Sequence, residues 1–302
     1  MAQFVALLSA GTVTTGASFV ALGGSVATVD YLVSDSSAMS GSRSAAIWIG
    51  WRERISAWTC SLTSHTLTFM PAIKPEPSRF PGLVDNEAFC MDIARAVELP
   101  TASVSRHASS SGLPYLLVER YDRDETADPI RRLHQEDVCQ AIGHPSDRKY
   151  QAEGGPGVAD TVALLRASSA VPAQDLPTFW RALVFNWLIG NCDGHAKNFS
   201  LLYDAAAPTL APLYDLVSTV VYPELTTRLA MTLDGARAIE EVTPDAWALL
   251  ARETGFSARF ARSATEAMIE RVVDESGRLA AEPRHDNPTA KQIREGILER
   301  AL

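Results

Sequence analysis

Asp193 and Asn198 stand five residues apart in a dense polar run, Asn191-Cys192-Asp193-Gly194-His195-Ala196-Lys197-Asn198, and Asp215 follows 17 residues after Asn198. Phosphoryl transfer asks for this combination. A loop Asp takes the proton of the attacking hydroxyl, while an Asn and a second carboxylate hold a hard, oxygen-seeking cation. Asp193 is therefore the candidate general base, and Asn198 and Asp215 are the candidate Mg²⁺ ligands. Lys197 is placed to neutralise charge developing on the transferred group. The same chemistry needs a strand lysine that pairs with nucleotide phosphates and a helix Glu that pairs with that lysine. Lys74, the first lysine in the chain, and Glu87 fill these positions in the right order. Glu119, Arg120 and Tyr121 end an apolar run where a hinge would present backbone groups to an adenine.

The elements that must carry these residues are legible in part. Ile73 to Pro77 reads as a strand end entering an extended turn, because each proline pushes its predecessor towards extended geometry. Phe89, Ile93 and Val97 recur at helical spacing and predict a helix over 85–99 with Asp85 as its N-cap. Residues 115–121 predict a buried strand. Phe179, Trp180, Leu183, Val184, Trp187 and Leu188 form a wide apolar stripe, which predicts a core helix over 176–189 stopped by Gly190. Asp193 thus falls on the loop just beyond a buried helix. Short strands are expected at Phe199–Tyr203 and Leu210–Leu213, with Asp215 beyond them. Gly154–Gly157 lacks a following GK[ST] and reads as a structural loop rather than a Walker motif. Cys192 reads as a small buried filler. Thr243-Pro244 opens a helical region, with Thr243 as N-cap. A polar helix prone to fraying is expected near 288–301.

The chain has 302 residues, 46% of them hydrophobic and 21% charged, which is enough apolar material for a sizeable soluble core. A formal net charge of -9 argues against general nucleic-acid binding, which needs clustered Lys and Arg. Cys60, Cys90, Cys139 and Cys192 lie far apart without a CxxC pair, as expected for a cytoplasmic protein. Residues 1–70 hold only six charged side chains, and residues 1–29 hold none. Gly11, Gly16, Gly23 and Gly24 break that first stretch and no basic segment precedes it, which speaks against a signal peptide or anchor. Phe4–Leu8, Phe19–Leu22, Tyr31–Val33 and Ala45–Trp51 are short β-prone runs. The expected organisation is an atypical, incomplete N-lobe segment (1–70), the rest of an N-lobe with a hinge (71–121), and a C-lobe with the catalytic loop (122–302).

The strings Lys74-Pro-Glu-Pro-Ser, Phe80-Pro-Gly-Leu-Val-Asp-Asn-Glu87, Val118-Glu-Arg-Tyr-Asp122, Gln135-Glu-Asp-Val-Cys-Gln140, Lys149-Tyr, Gly154-Gly-Pro-Gly157, Asp193-Gly-His-Ala-Lys-Asn-Phe-Ser200 and Leu213-Tyr-Asp215 resemble the HipA family of Ser/Thr kinase toxins. The resemblance covers about residues 71–275. It implies an α+β, protein-kinase-like two-lobed fold with a small β-rich N-lobe and an all-helical C-lobe. It also implies ATP and Mg²⁺ as cofactors, with His195, Lys197 and Tyr214 near the nucleotide. A protein substrate in translation, such as an aminoacyl-tRNA synthetase, and a helix-turn-helix antitoxin that carries the DNA contacts would be the partners. The family's phosphate loop, often S-x-x-G-x-Q-x-K, has one counterpart here, Ser37-Ala-Met-Ser40-Gly41-Ser-Arg-Ser44, which lacks the Gln and the Lys. Backbone N–H groups beside Gly41 could still cradle phosphate. A catalytically impaired relative that binds nucleotide or antitoxin is the alternative reading. A small-molecule phosphotransferase is disfavoured, since Asn191 stands where such enzymes carry His.

Overall fold

The computed structural model describes residues 26–30, 59–63, 71–124, 126–127, 130–145 and 147–302. The four β-prone runs expected before residue 52, and the Gly41 segment, lie outside these residues. The described chain divides into two compact units. The smaller gathers the strands up to Pro77 with Val104–Arg120, and the larger comprises Ser78–Ser103 and Tyr121–Leu302. The division therefore falls beside Tyr121, and the stretch 78–103 goes with the larger unit.

In the smaller unit, β1 (Val26–Asp30) pairs antiparallel with β2 (Thr59–Thr63). Strands β3 (Ala72–Pro75), β4 (Val104–Ala108) and β5 (Pro114–Val118) form an antiparallel sheet with β5 in the middle. Lys74 lies opposite Leu116 in that register. The central strand is the apolar one: Tyr115, Leu116 and Val118 are buried, as a strand flanked on both sides requires.

The larger unit is dominated by helices. They are α1 (Leu83–Ala96), α2 (Val138–Ala141), α3 (Val158–Ser168), α4 (Pro172–Ile189), α5 (Pro244–Thr254), α6 (Ala258–Ala280) and α7 (Pro288–Ala301). Short sheets accompany them. β6 (Arg123–Asp124) pairs with β7 (Arg131–Arg132). β8 (His134–Asp137), β9 (Ser200–Tyr203) and β10 (Thr209–Leu210) form a second sheet with β9 central. β11 (Arg228–Leu233) pairs with β12 (Ala236–Ala238).

Helix α4 is the axis of this unit. Its predicted stripe is buried, and Trp180 is fully enclosed between the rings of Trp247, Phe256 and Phe260 from α5, the turn after it and α6. The one polar atom of that indole donates to Thr265 Oγ1 at 3.2 Å, so burial leaves no orphaned N–H. Beside Trp180, Phe179 meets Phe199 edge-on with centroids 4.9 Å apart. That contact fixes the residue immediately after Asn198 against the core.

Several boundaries differ from the sequence expectation. Helix α1 begins at Leu83, with Gly82 at the N-cap in left-handed geometry, so Asp85 lies in the first turn instead of capping. There its carboxylate still complements the positive end of the helix. Helix α4 begins earlier than expected, at Pro172, a favoured first helical residue. Thr243 does cap α5, accepting from the Ala246 N–H at 3.4 Å. The final helix is continuous over Pro288–Ala301 and firmly anchored. Asn287 caps it, Ala290, Ile293 and Ile297 are buried, and Arg300 Nε donates to the Leu188 carbonyl at 2.9 Å. Its few apolar residues recur at three and four, so a narrow stripe suffices to dock it. Among the described residues, no helix is long and apolar enough to cross a membrane.

Candidate active site

The loop carrying Asp193 is held from both ends. Gly190 closes α4 with φ +77, and an added Cβ there would collide with Val220. Its carbonyl accepts from Thr219 N–H at 2.9 Å, Val220 N–H at 3.2 Å and Thr219 Oγ1 at 3.1 Å. Asn191 then folds back on Asn186, its Nδ2 donating to Asn186 Oδ1 at 2.6 Å. Asn191 Oδ1 accepts the Asp193 N–H at 3.1 Å. Cys192 N–H donates to Thr219 Oγ1 at 2.8 Å, and the Cys192 carbonyl accepts from Ala230 N–H at 3.0 Å. The Cys192 thiol is buried, and burial raises its pKa, which fits a packing role rather than a reactive one. Asn198 closes the loop: its Oδ1 accepts the His195 N–H at 3.0 Å and its own N–H donates to the His195 carbonyl at 2.9 Å.

Two consecutive side chains from a distant connection reach this loop. The Tyr150 hydroxyl donates to Asp193 Oδ1 at 2.7 Å. Lys149 Nζ lies 2.8 Å from His195 Nε2. An ammonium only donates, so Nε2 is the acceptor and the ring proton sits on Nδ1. Burial is the main cause that holds the His195 pKa down, at about 4; the Lys149 charge adds to it and Asp193 opposes it. His195 is therefore neutral at pH 7, and its buried Nδ1 has no hydrogen-bond partner among the described residues.

Asp215 adopts φ +60, one of three non-glycine residues with positive φ among those described. Asp tolerates this left-handed geometry at a cost of about 1–2 kcal/mol, and such strain persists only where the surroundings impose it. They do so on both sides. The Tyr214 hydroxyl donates to the Lys197 carbonyl at 2.8 Å and accepts from Ser200 Oγ at 2.8 Å. This bond ties together the residues that precede Asn198 and Asp215. Burial raises the Tyr214 pKa, which keeps that donor protonated. Three residues past Asp215, the fully buried Asn86 of α1 clasps the Ser218 backbone. Its Nδ2 donates to the Ser218 carbonyl and its Oδ1 accepts the Ser218 N–H, both at 2.8 Å. The Tyr121 ring stacks on Tyr214 with centroids 5.9 Å apart, and its hydroxyl donates to Gln135 Oε1 at 2.6 Å.

The larger unit thus brings together Asp193, His195, Lys197, Asn198, Tyr214, Asp215 and Tyr121 from the sequence expectation. Glu87 is also in this unit, buried on α1 at 4% exposure. Lys74, half-buried on β3, and Glu119 and Arg120, just past β5, belong to the smaller unit. Among the described residues no three His, Cys, Asp or Glu side chains form a ready-made metal cage. One carboxylate and one amide oxygen on linked segments suit Mg²⁺, which takes few protein ligands and completes its shell with phosphate and water. Sequence reasoning missed the linking roles of Asn86, Lys149, Tyr150, Thr219 and Arg300. Only the first three lie within strings that carried a family resemblance.

A family model described as the HipA-like C-terminal domain matches residues 60–276. A Sinorhizobium fredii protein named "Putative kinase Y4mE" is 43% identical over 208 residues, 68% of this chain and 49% of that protein. The Shewanella oneidensis serine/threonine-protein kinase toxin HipA is 30% identical over 168 residues, 52% of this chain and 39% of that protein. The chain thus spans about half the length, or less, of these curated relatives. A solved structure of Shewanella oneidensis HipA with HipB and operator DNA superposes with a TM-score of 0.70 at 20% identity, covering 94% of this chain and 64% of that one. That likeness shows a shared fold, and the helix-rich larger unit with its small sheets fits the kinase-like architecture. The chain belongs to the HipA-like C-terminal domain family.

Proposed function

We propose that this chain is a HipA-like serine/threonine protein kinase that transfers the γ-phosphoryl group of ATP to a protein hydroxyl. The observation that carries this reading is the Asp193 loop, pinned at both ends and linked through Tyr214 to a left-handed Asp215. Asp193 accepts the proton of the attacking hydroxyl as the O–P bond forms, and the bond from Pγ to the bridging oxygen breaks to release ADP. His195, two residues after Asp193 on the same loop, lies near the phosphates. Lys197 adds positive charge to the phosphates, and Tyr121, stacked on Tyr214, contacts the adenine. Asn198 and Asp215 would hold Mg²⁺, which supplies neutralisation of phosphate charge.

The partners follow from the family: a protein substrate in translation, such as an aminoacyl-tRNA synthetase, and a helix-turn-helix antitoxin that makes the DNA contacts. Two things support this division of labour: the acidity of the chain, and the Shewanella oneidensis complex, in which HipA is accompanied by HipB and operator DNA. The alternative, a nucleotide- or antitoxin-binding module without turnover, draws on one observation: the Gly41 segment lacks the Gln and Lys of the family's phosphate loop. Calorimetric titration with MgATP tests the binding half of the proposal. Wild-type chain is expected to bind, and Asp215→Asn to bind MgATP more weakly while its affinity for metal-free ATP stays unchanged. Equal MgATP affinity in both would overturn the assignment of Asp215.

A further inference from the structure

Asp193 and His195 are each grasped by one member of the dipeptide Lys149-Tyr150, which lies 43 and more residues earlier in the chain. The four side chains form one knot. Tyr150 meets the His195 ring edge-on at 5.6 Å, and Lys149 Nζ sits 4.8 Å from the centroid of the Tyr150 ring. The dipeptide is itself seated by the glycine-rich loop. Tyr150 precedes a short 3₁₀ turn, Gln151–Glu153, that ends on Gly154 with φ +86. Gly155 N–H then donates back to the Tyr150 carbonyl at 2.9 Å. A Cβ on Gly155 would lie 2.8 Å from the Tyr150 carbonyl oxygen and equally close to the Lys149 carbonyl carbon, so only glycine lets the loop close there. Gln151 anchors the other side, its Oε1 accepting from Thr232 N–H at 2.7 Å and Thr232 Oγ1 at 3.0 Å.

We propose that Tyr150 is a positioning residue for phosphoryl transfer, fixing the rotation of the Asp193 carboxylate, and that the Gly154–Gly157 loop exists to seat it. The inference rests on the reading of Asp193 as the proton acceptor. A carboxylate free to rotate presents its acceptor lone pairs to the incoming hydroxyl only part of the time. A phenol bonded to Oδ1 removes that freedom before substrate arrives, and pre-organisation of this kind acts on the chemical step rather than on nucleotide binding. Burial and the neighbouring Asp193 charge both raise the Tyr150 pKa, so the phenol stays a donor across the working pH range. Lys149 does the corresponding work on His195 by occupying Nε2 and leaving the proton on Nδ1.

The test uses the full chain with MgATP and follows ADP formation. Tyr150→Phe removes one oxygen and keeps the ring, so the fold is preserved, and its thermal midpoint is measured alongside. The expected result is a fall in kcat of about 10–100-fold, the worth of one hydrogen bond to a charged group, with the KM for ATP within about twofold of wild type. Gly155→Ala, which unseats the dipeptide without touching either side chain, is expected to lower kcat in the same direction. In the Asp193→Asn background Tyr150→Phe should cost nothing further, because the two act as one unit. Unchanged kcat in Tyr150→Phe, or a loss shared by KM and the thermal midpoint, overturns the positioning role. If Asp193→Asn is itself fully active, the base assignment falls and this inference with it. If Asp193→Asn is inactive while Tyr150→Phe matches wild type, only the positioning role falls.

Discussion

Asn86 offers the sharpest test of how the fold holds the site. It sits at 0% exposure on α1 and is bonded through both side-chain atoms to the backbone of Ser218, 132 residues away. Asn86→Ala removes both partners at once. Ser218 N–H and C=O are left buried, and each unpaired group costs about 1–3 kcal/mol, so the variant is expected to lose about 2–6 kcal/mol of stability. Asn86→Asp separates the two bonds. The carboxylate still accepts from Ser218 N–H but sets an oxygen against the Ser218 carbonyl, so this variant is expected to lose at least as much as Asn86→Ala. Urea denaturation of wild type and both variants gives the differences directly. Because Ser218 lies three residues beyond Asp215, MgATP affinity is expected to fall with stability, and more than affinity for metal-free ATP. A loss below about 1 kcal/mol for Asn86→Ala would refute the reasoning, since it would mean the Ser218 groups find water or new partners at no cost.

Two further outcomes are expected. His195 should remain neutral far into acid: its ring signals in NMR are expected to titrate near pH 4 rather than 6.5. Because this pKa is lowered in the folded state, the associated stability is fully present above pH 6.5 and is lost as pH falls towards 4; a ring titrating near 6.5 would contradict the burial and the Lys149 contact. Gly190→Ala should destabilise by about 1–2 kcal/mol from the left-handed backbone alone, and by more from the collision with Val220, as read by the shift in urea midpoint. A neutral substitution there would mean the α4 terminus does not fix the Asp193 loop.

The parts of this molecule that are legible in the sequence are those written in local spacing. The apolar stripe of α4 and the glycine that ends it are enough to put Asp193 on its loop. The five-residue step to Asn198 and the strand just after it follow from the same spacing, whereas the second strand lies at Thr209–Leu210 and not over 210–213. Element ends are less legible. Gly82, not Asp85, stands at the α1 N-cap, because packing of α1 on α6 and α7 sets that helix more strongly than its capping chemistry. The terminal helix is polar, and three buried residues and one guanidinium hold it, with Arg300 reaching the end of α4. The long-range polar links cannot be read at all. Asn86 to Ser218, Tyr150 to Asp193 and Thr219 to Cys192 join segments with no shared periodicity, and any surface Asn, Tyr or Thr would look the same in the sequence. They become recognisable only when burial shows that these polar groups must be paired.

Transfer of label from γ-labelled ATP to protein measures most directly whether the Asp193 loop performs phosphoryl transfer. With Mg²⁺ and ATP, the wild-type chain, alone or with an acceptor protein, is predicted to show label on Ser or Thr. Asp193→Asn, which keeps size and most hydrogen bonds but cannot take the proton, is predicted to lose at least about 100-fold in rate, on the order of general-base contributions elsewhere. Equal labelling by wild type and Asp193→Asn would contradict the account.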